Sequence, residues 1–121
     1  MAPKNSFPVG IYKQRFNDLT GQSLPCTDIY QSYGLSKHIQ SHHPNELQNI
    51  ALIPQIINAP DYVGHNPKEP NSIELVKVYR NNVMVCVKLD SANGYLYVAS
   101  VFEISTSKLQ NRLNSGRLKT Y

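Results

Sequence analysis

The sequence predicts an α+β fold in which short N-terminal helices pack on a three- to four-stranded antiparallel meander, with a C-terminal helix at the end. Two observations predict it. Ile50, Ile53, Ile56 and Ile57 recur at helical spacing, whereas beyond residue 71 the apolar residues alternate as in strands. Helices followed by a run of strands are typical of the α+β class, and 121 residues can bury a core without disulfides or metals.

The first 34 residues are predicted to form an extended arm with short helices, ahead of one globular domain over residues 35–121. Prolines and glycines recur through residues 1–25 and interrupt regular structure, so only one helical turn is expected there, at Arg15–Leu19. Thr27 or Asp28 can cap a short helix that runs through Tyr33. We expect this arm to be a linker from a larger protein or an adaptor for a partner.

Two further helical stretches follow the arm. Ser36 can cap a helix over Lys37–His43, and the next proline must stop it, because a residue before proline avoids the α region. Asn45 can cap the second stretch, Glu46–Asn58. Pro54 lies inside that stretch, so we expect either a kinked helix or two short helices.

The sheet is predicted from three runs rich in Val, Ile and Tyr, namely Ser72–Tyr79, Val83–Leu89 and Gly94–Phe102. Tight polar turns connect them, which favours an antiparallel meander, and a further short strand is possible near Tyr62. One face of the second run is apolar and should pack against the helices; it carries Val83, Val85, Val87 and Leu89.

A C-terminal helix completes the predicted fold. Ser105 or Thr106 can cap it, and the helix is expected to run to about Leu113. Gly116 lies just past this end, where glycine often terminates helices.

The charge balance favours a polyanionic partner such as nucleic acid. Twelve Lys and Arg against eight Asp and Glu give a net charge of +4, with a pI of about 9.1. The excess is modest and no dense basic run is present, so the charge alone does not identify the partner.

The two cysteines indicate neither a zinc site nor a disulfide framework. Cys26 and Cys86 stand far apart with no CxxC motif, and Cys86 is expected to be a small buried hydrophobe. We therefore expect reduced thiols and a cytoplasmic location. No segment is long and apolar enough for a signal peptide or a membrane span, so no membrane partner is predicted.

Three histidines, His38, His42 and His43, fall within six positions and form the densest chemical signal. Imidazole titrates near neutral pH, so two histidines can divide the base and acid roles of phosphodiester transfer without a metal. His38 and His42 lie one helical turn apart and could instead chelate zinc, but no carboxylate motif of the HExxH kind accompanies them. We predict no metal or cofactor. A solvated or capping cluster is the alternative interpretation.

Lys77 and Ser100 are further candidates for the same chemistry. Lys77 shares a predicted strand face with Ile73 and Leu75, and a lysine beside a cleft could stabilise the pentacoordinate phosphorane. Ser100 lies near the end of the third strand and could bond a phosphate oxygen or orient a histidine. A satisfied buried hydroxyl is the ordinary alternative for such a serine.

Several other side chains could contact nucleic acid. Tyr95 and Tyr97 alternate on one strand and could stack bases, although both could equally be ordinary sheet residues. By the same alternation Lys88 could be a solvated strand residue. The residues predicted to bind nucleic acid are Lys37, His42, Arg80, Lys88 and Tyr97.

Several sequence blocks between about residues 35 and 118 stand in a particular order and spacing, namely His38-Ile39, His43-Pro44, Pro60-Asp61-Tyr62-Val63-Gly64, Asn66-Pro67, Ser72-Ile73-Glu74-Leu75-Val76-Lys77, Tyr95-Leu96-Tyr97-Val98-Ala99-Ser100 and Ser115-Gly116-Arg117-Leu118. In this order and spacing the blocks resemble those of the phage-associated barnase–EndoU–colicin–RelE-like nucleases. Residues 1–34 lie outside the resemblance.

This resemblance implies a helical layer on a four-stranded antiparallel sheet, with metal-independent cleavage of RNA, often tRNA or mRNA, on the open face of the sheet. It assigns catalysis to His38 and His43, transition-state stabilisation to Lys77 and a hydroxyl role to Ser100. The expected protein is an endoribonuclease that leaves 2′,3′-cyclic phosphates, in the role of a toxin or prophage effector with a cognate immunity or antitoxin protein. A non-catalytic RNA- or protein-binding module on the same fold is the alternative.

Overall fold

The computed structural model describes residues 2–42 and 44–121, and of His42 only the backbone. Within this part of the chain seven strands, four α-helices and one 3₁₀ helix follow one another. Their bounds are β1 Ser6–Ile11, α1 Gln14–Thr20, β2 Asp28–Ser32, α2 Leu35–His42, the 3₁₀ helix Pro44–Leu52, α3 Ile53–Asn58, β3 Tyr62–Gly64, β4 Ser72–Val78, β5 Asn82–Asp90, β6 Tyr95–Ile104, α4 Thr106–Ser115 and β7 Leu118–Thr120.

The strands form one mixed sheet in the order β1-β2-β6-β5-β4-β3-β7. Every neighbouring pair is antiparallel except β2 and β6, which run parallel. The prediction of a three- to four-stranded antiparallel meander behind N-terminal helices is therefore wrong. The three predicted runs form the centre of the sheet as β4, β5 and β6, and shorter strands extend the sheet on both sides.

The N-terminal segment supplies two of the additional strands. The residues expected to form a capped helix instead form β2, whose Ile29 and Gln31 are buried while Tyr30 is partly exposed. This alternation has period two, and pairing with both β1 and β6 overrides the local capping signal at Asp28. Among the described residues β1 pairs only with β2, and an edge strand tolerates Pro8 because its missing N–H is not needed for a second partner.

Prolines set the boundaries of the helices after β2. α2 begins at Leu35, one residue before the predicted cap. The stretch after it is two short helices, because α3 begins at Ile53 and places Pro54 in its first turn, where no N–H partner is lost. In α4 the Ser105 hydroxyl accepts a hydrogen bond from the Lys108 N–H at 3.1 Å, and Gly116 ends the helix with φ of 81°.

Helices cover the two faces of the sheet unequally. On the helical face, the apolar residues of β5 pack with Phe16 of α1 and the isoleucines of α3, and both layers are almost fully buried. On the opposite face, α4 packs through Leu109 on Val76 and Met84 at one end of the sheet. The remainder of that face, which we call the open face, carries half-exposed side chains from β2, β5 and β6.

Candidate functional site

A row of polar side chains crosses the sheet at the border between α4 and the open face. Glu74 of β4 lies directly opposite Cys86 of β5, and Cys86 lies opposite Ser100 of β6. Directly paired residues project to the same side of a sheet, so these three side chains are neighbours. We call them the Glu74 row.

Two arginines hold the carboxylate of this row. Arg117 donates from Nε and Nη2 to the two Glu74 oxygens at 2.9 and 2.8 Å, and these hydrogen bonds raise the pKa of the guanidinium. Arg112 Nη1, from the last turn of α4, lies 3.7 Å from Glu74 Oε2. The Glu74 side chain is 6% exposed, and those of Arg112 and Arg117 are 15% and 25% exposed. Two guanidiniums against one carboxylate leave a local charge of +1, which suits an anion.

Gly64 brings Arg117 to this place. β3 lies between β4 and β7, with Gly64 opposite both Glu74 and Leu118. A Cβ at Gly64 would lie 2.2 Å from the Arg117 carbonyl oxygen and 2.6 Å from a Leu118 methyl, so only glycine allows β7 to approach this closely. The Asp61–Gly64 and Ser115–Leu118 blocks of the sequence therefore meet at the carboxylate.

The thiol in the row is not a nucleophile at neutral pH. Burial raises the pKa of Cys86 to about 11, although a hydrogen bond with the Ser100 side chain acts in the opposite direction. A protonated thiol does not attack phosphorus or carbon readily. Ser100 is half-buried and lies opposite this thiol on the neighbouring strand.

His65 lies next to the arginine. It follows β3, its backbone N–H donates to the Arg117 carbonyl at 3.3 Å, and its Nε2 lies 3.2 Å from the Glu69 carbonyl oxygen. His65, Arg117 and Lys119 line a cleft of about 450 Å³ together with Leu19 and Thr20 of α1, and no residue of the Glu74 row lines it. An imidazole and two cationic side chains therefore share one opening.

The structure places the predicted residue Lys77 away from Ser100. Lys77 follows Ile73 and Leu75 on the helical face, as alternation predicted, whereas Ser100 shares the opposite face with Glu74. Its ammonium group donates to the Ala59 carbonyl at 2.7 Å, at the C-terminal end of α3. The sheet separates Lys77 from Ser100, so the two cannot contact one phosphate.

The predicted histidine pair is described only in part. His38 is exposed on α2, whose Leu35 and Ile39 pack into the core on the helical face, and Lys37 is exposed beside it. His43 and the side chain of His42 lie outside the described residues. The catalytic pairing of His38 with His43 stays a prediction.

The other residues predicted to bind nucleic acid fall in two places. Arg80 is exposed in the turn between β4 and β5. Lys88 and Tyr97 lie opposite each other on the open face, where Lys88 also pairs with Glu69 at 3.2 Å. Among the described residues no group of three or more His, Cys, Asp or Glu could hold a metal ion, and no helix there is long and apolar enough to cross a membrane.

Sequence reasoning missed Glu74, Arg112, Arg117 and His65. One signal was available, because Glu74 stands in an otherwise apolar strand and a charge buried there needs a partner. The arginine that supplies it is 43 residues away, beyond the range of any local pattern.

A comparison with protein-family models matches residues 6–111 to the family described as phage-Barnase-EndoU-ColicinE5/D-RelE like nuclease 3. Searches of curated proteins and of solved structures each found no match. The matched range begins at β1 and includes the Glu74 row and His65, while Arg112 and Arg117 follow its last residue. Since the match covers most of the 121 residues, the chain belongs to this phage-associated nuclease family.

Proposed function

We propose that the protein is a metal-independent endoribonuclease that cuts RNA at the Glu74 row and leaves 2′,3′-cyclic phosphate ends. The observation that carries this proposal is the buried Glu74 carboxylate, held by Arg117 and Arg112 at the edge of an open sheet face, with Ser100 in the same row on the far side of Cys86. A nuclease of this family needs a site for a polyanion together with acid and base groups. The two arginines supply the first, and Glu74 with His65 supplies the second.

The arginines take the charge-stabilising role. Negative charge develops on the phosphorane as the 2′-oxygen attacks, and preformed cations in a partly buried site stabilise it strongly. Arg112 and Arg117 carry one positive charge more than Glu74 neutralises, so they can hold a phosphate without a metal ion. Ser100 donates a further hydrogen bond to a non-bridging oxygen.

Glu74 and His65 take the proton-transfer roles. Glu74 accepts the proton of the 2′-hydroxyl when the phosphate draws Arg117 towards itself. His65, whose cleft Arg117 also lines although Glu74 and Ser100 do not, protonates the leaving 5′-oxygen when the phosphate binds at the β7 edge of the sheet. The 2′-oxygen forms a bond to phosphorus and the 5′-oxygen leaves with the proton, which gives the cyclic phosphate.

A second candidate centre uses the predicted histidines. His38 is exposed on α2, and Lys77 lies on the same side of the sheet. In this version His38 and His43 act as base and acid and Lys77 stabilises the phosphorane. Ser100 then has no direct role, because it lies on the other face.

The family's phage association favours the role of a toxin or prophage effector that acts on tRNA or mRNA in the cytoplasm and is restrained by an immunity or antitoxin protein. Expression of the active chain should then slow the growth of its host, and a variant without activity should not.

The test is incubation of the purified protein with total tRNA and a labelled RNA oligomer in EDTA, with His65→Gln, Ser100→Ala and His38→Gln alongside. We expect cyclic-phosphate products from the wild type and His38→Gln, and much less product from His65→Gln and Ser100→Ala. The opposite ranking would favour the second candidate centre, at His38 and Lys77. Binding of RNA without cleavage by the wild-type chain would favour a non-catalytic module.

A further inference from the structure

We infer that Tyr30, Tyr95 and Tyr97, here called the tyrosine ledge, stack an unpaired base of the RNA and thereby select single-stranded substrate. This inference rests on the proposed function and adds the substrate class. Tyr30 lies beside Tyr97 across the parallel β2–β6 pair, and Tyr95 precedes Tyr97 by two residues on β6. All three rings therefore project from the open face.

The ledge does not serve the core. Its neighbours along the same strands, Ile29 and Leu96, are fully buried on the helical face, whereas the tyrosines are only partly buried. None of the three tyrosines is part of either hydrophobic cluster that the described residues form. The ring centroids of Tyr95 and Tyr97 are 6.1 Å apart and the ring planes are inclined at 64°, so the edge of one ring points towards the face of the other.

A cleft beside the rings has the size of a nucleotide site. It measures about 370 Å³, within the range of small-ligand pockets, and Lys4 and Asp90 share its lining with the three tyrosines. Hydrogen bonds with Asn93 first, and then with Tyr95 and Ala92, lower the pKa of Asp90, so its carboxylate is already occupied by the turn and by Tyr95. One cation against one anion leaves no excess positive charge in the cleft. Affinity here should therefore come from stacking.

The ledge continues the Glu74 row. Cys86 lies opposite Ser100 and Lys88 lies opposite Tyr97, so Tyr97 stands two positions of β5 away from the row, about 7 Å at ordinary strand rise. A phosphate on the row and a base on the ledge thus fit neighbouring parts of one strand. Bases in a duplex are stacked on each other and cannot reach these rings, which restricts the substrate to loops and single strands.

The test uses a fluorescent single-stranded 2′-O-methyl oligomer, which binds but lacks the hydroxyl needed for cleavage, and a duplex of the same sequence. Wild type should prefer the single strand. Tyr97→Leu should bind it about tenfold more weakly, as expected for one lost base–aromatic stack, with an unchanged dependence of log K on log salt. Tyr97→Phe should bind as the wild type does. Tyr33→Leu is the matched control, because Tyr33 is 68% exposed outside the ledge, and it should leave binding unchanged.

Two results would overturn the inference: equal loss of single-strand and duplex binding in Tyr97→Leu, or no loss in either Tyr97→Leu or Tyr95→Leu. The proposed function fails separately. If unmodified RNA stays uncut while ledge-dependent binding persists, the ledge stands and the catalytic assignment falls. If RNA is cut with unchanged KM in both leucine variants, the catalytic assignment stands and the ledge falls. A chain that binds no oligomer contradicts both.

Discussion

Replacing Arg117 with alanine should destabilise the fold by leaving the Glu74 carboxylate without its main partner. Two hydrogen bonds of 2.9 and 2.8 Å are lost from a Glu74 side chain that is only 6% exposed in the native fold. Removing one partner of a buried ion pair costs about 3–5 kcal/mol. Arg112 remains 3.7 Å away and a quarter of the Arg117 side chain is exposed, so we expect about 2–3 kcal/mol. For a domain of this size that lowers Tm by about 6–12 °C.

Urea unfolding followed by circular dichroism, with a thermal scan beside it, measures this loss. Arg117→Ala introduced into a Glu74→Gln background is the control: it should cost less there than in the wild type, because the carboxylate that Arg117 holds has already been removed. A loss below about 0.5 kcal/mol, the range of ordinary surface substitutions, would refute the buried pair.

Three further predictions concern the surroundings of the site. Gly64→Ala should lower the free energy of unfolding by about 2 kcal/mol or more, because its Cβ meets the Arg117 carbonyl oxygen, and an alanine that is tolerated in urea titration would contradict this close approach. At pH 8 Ellman's reagent should react with one thiol of the native chain, that of Cys26, and with both thiols of the unfolded chain. Burial raises the pKa of Cys86 to about 11, so the stability that its protonated thiol contributes should be lost as pH rises from about 9 to about 11. Asp90→Asn should destabilise the fold at neutral pH but not in acid. The pKa of Asp90 is lowered in the folded chain, so the carboxylate stabilises the fold above its unfolded-state pKa, and this stabilisation is lost as pH falls through the folded-state pKa. A stability difference that does not depend on pH would exclude this carboxylate as the cause.

Local sequence signals predicted the central strands and the C-terminal helix, and missed the short strands β2 and β7. β5 has an uninterrupted apolar alternation and short polar turns at both ends, and α4 has a serine cap and a terminal glycine, so each is determined by its own residues. β7 is only three residues long and depends on pairing with β3, more than fifty residues earlier. In β2, strand pairing outweighs a capping residue that also suits a helix.

In the candidate site, too, local patterns predict the direction of some side chains, whereas their contacts depend on the tertiary structure. Strand alternation placed Lys77 correctly on the helical face, but only the position of the α3 end reveals that its ammonium bonds the Ala59 carbonyl. Glu74 and Ser100 share a face only because a register shift at Cys86–Val87 turns Ser100 to that side; strict alternation would place Ser100 with Val98 on the helical face. Arg117 reaches Glu74 because β7 pairs with β3 at the edge of the sheet, and no spacing in the sequence predicts that contact.

The most direct test of the central claim is single-turnover cleavage of a labelled RNA oligomer in EDTA by the wild type, Glu74→Gln and His38→Gln, each first checked for folding by circular dichroism. Cleavage at the Glu74 row predicts a rate at least about 100-fold lower for Glu74→Gln, the usual contribution of a general base, with His38→Gln within about threefold of the wild type. A folded Glu74→Gln that cuts as fast as the wild type would contradict the account.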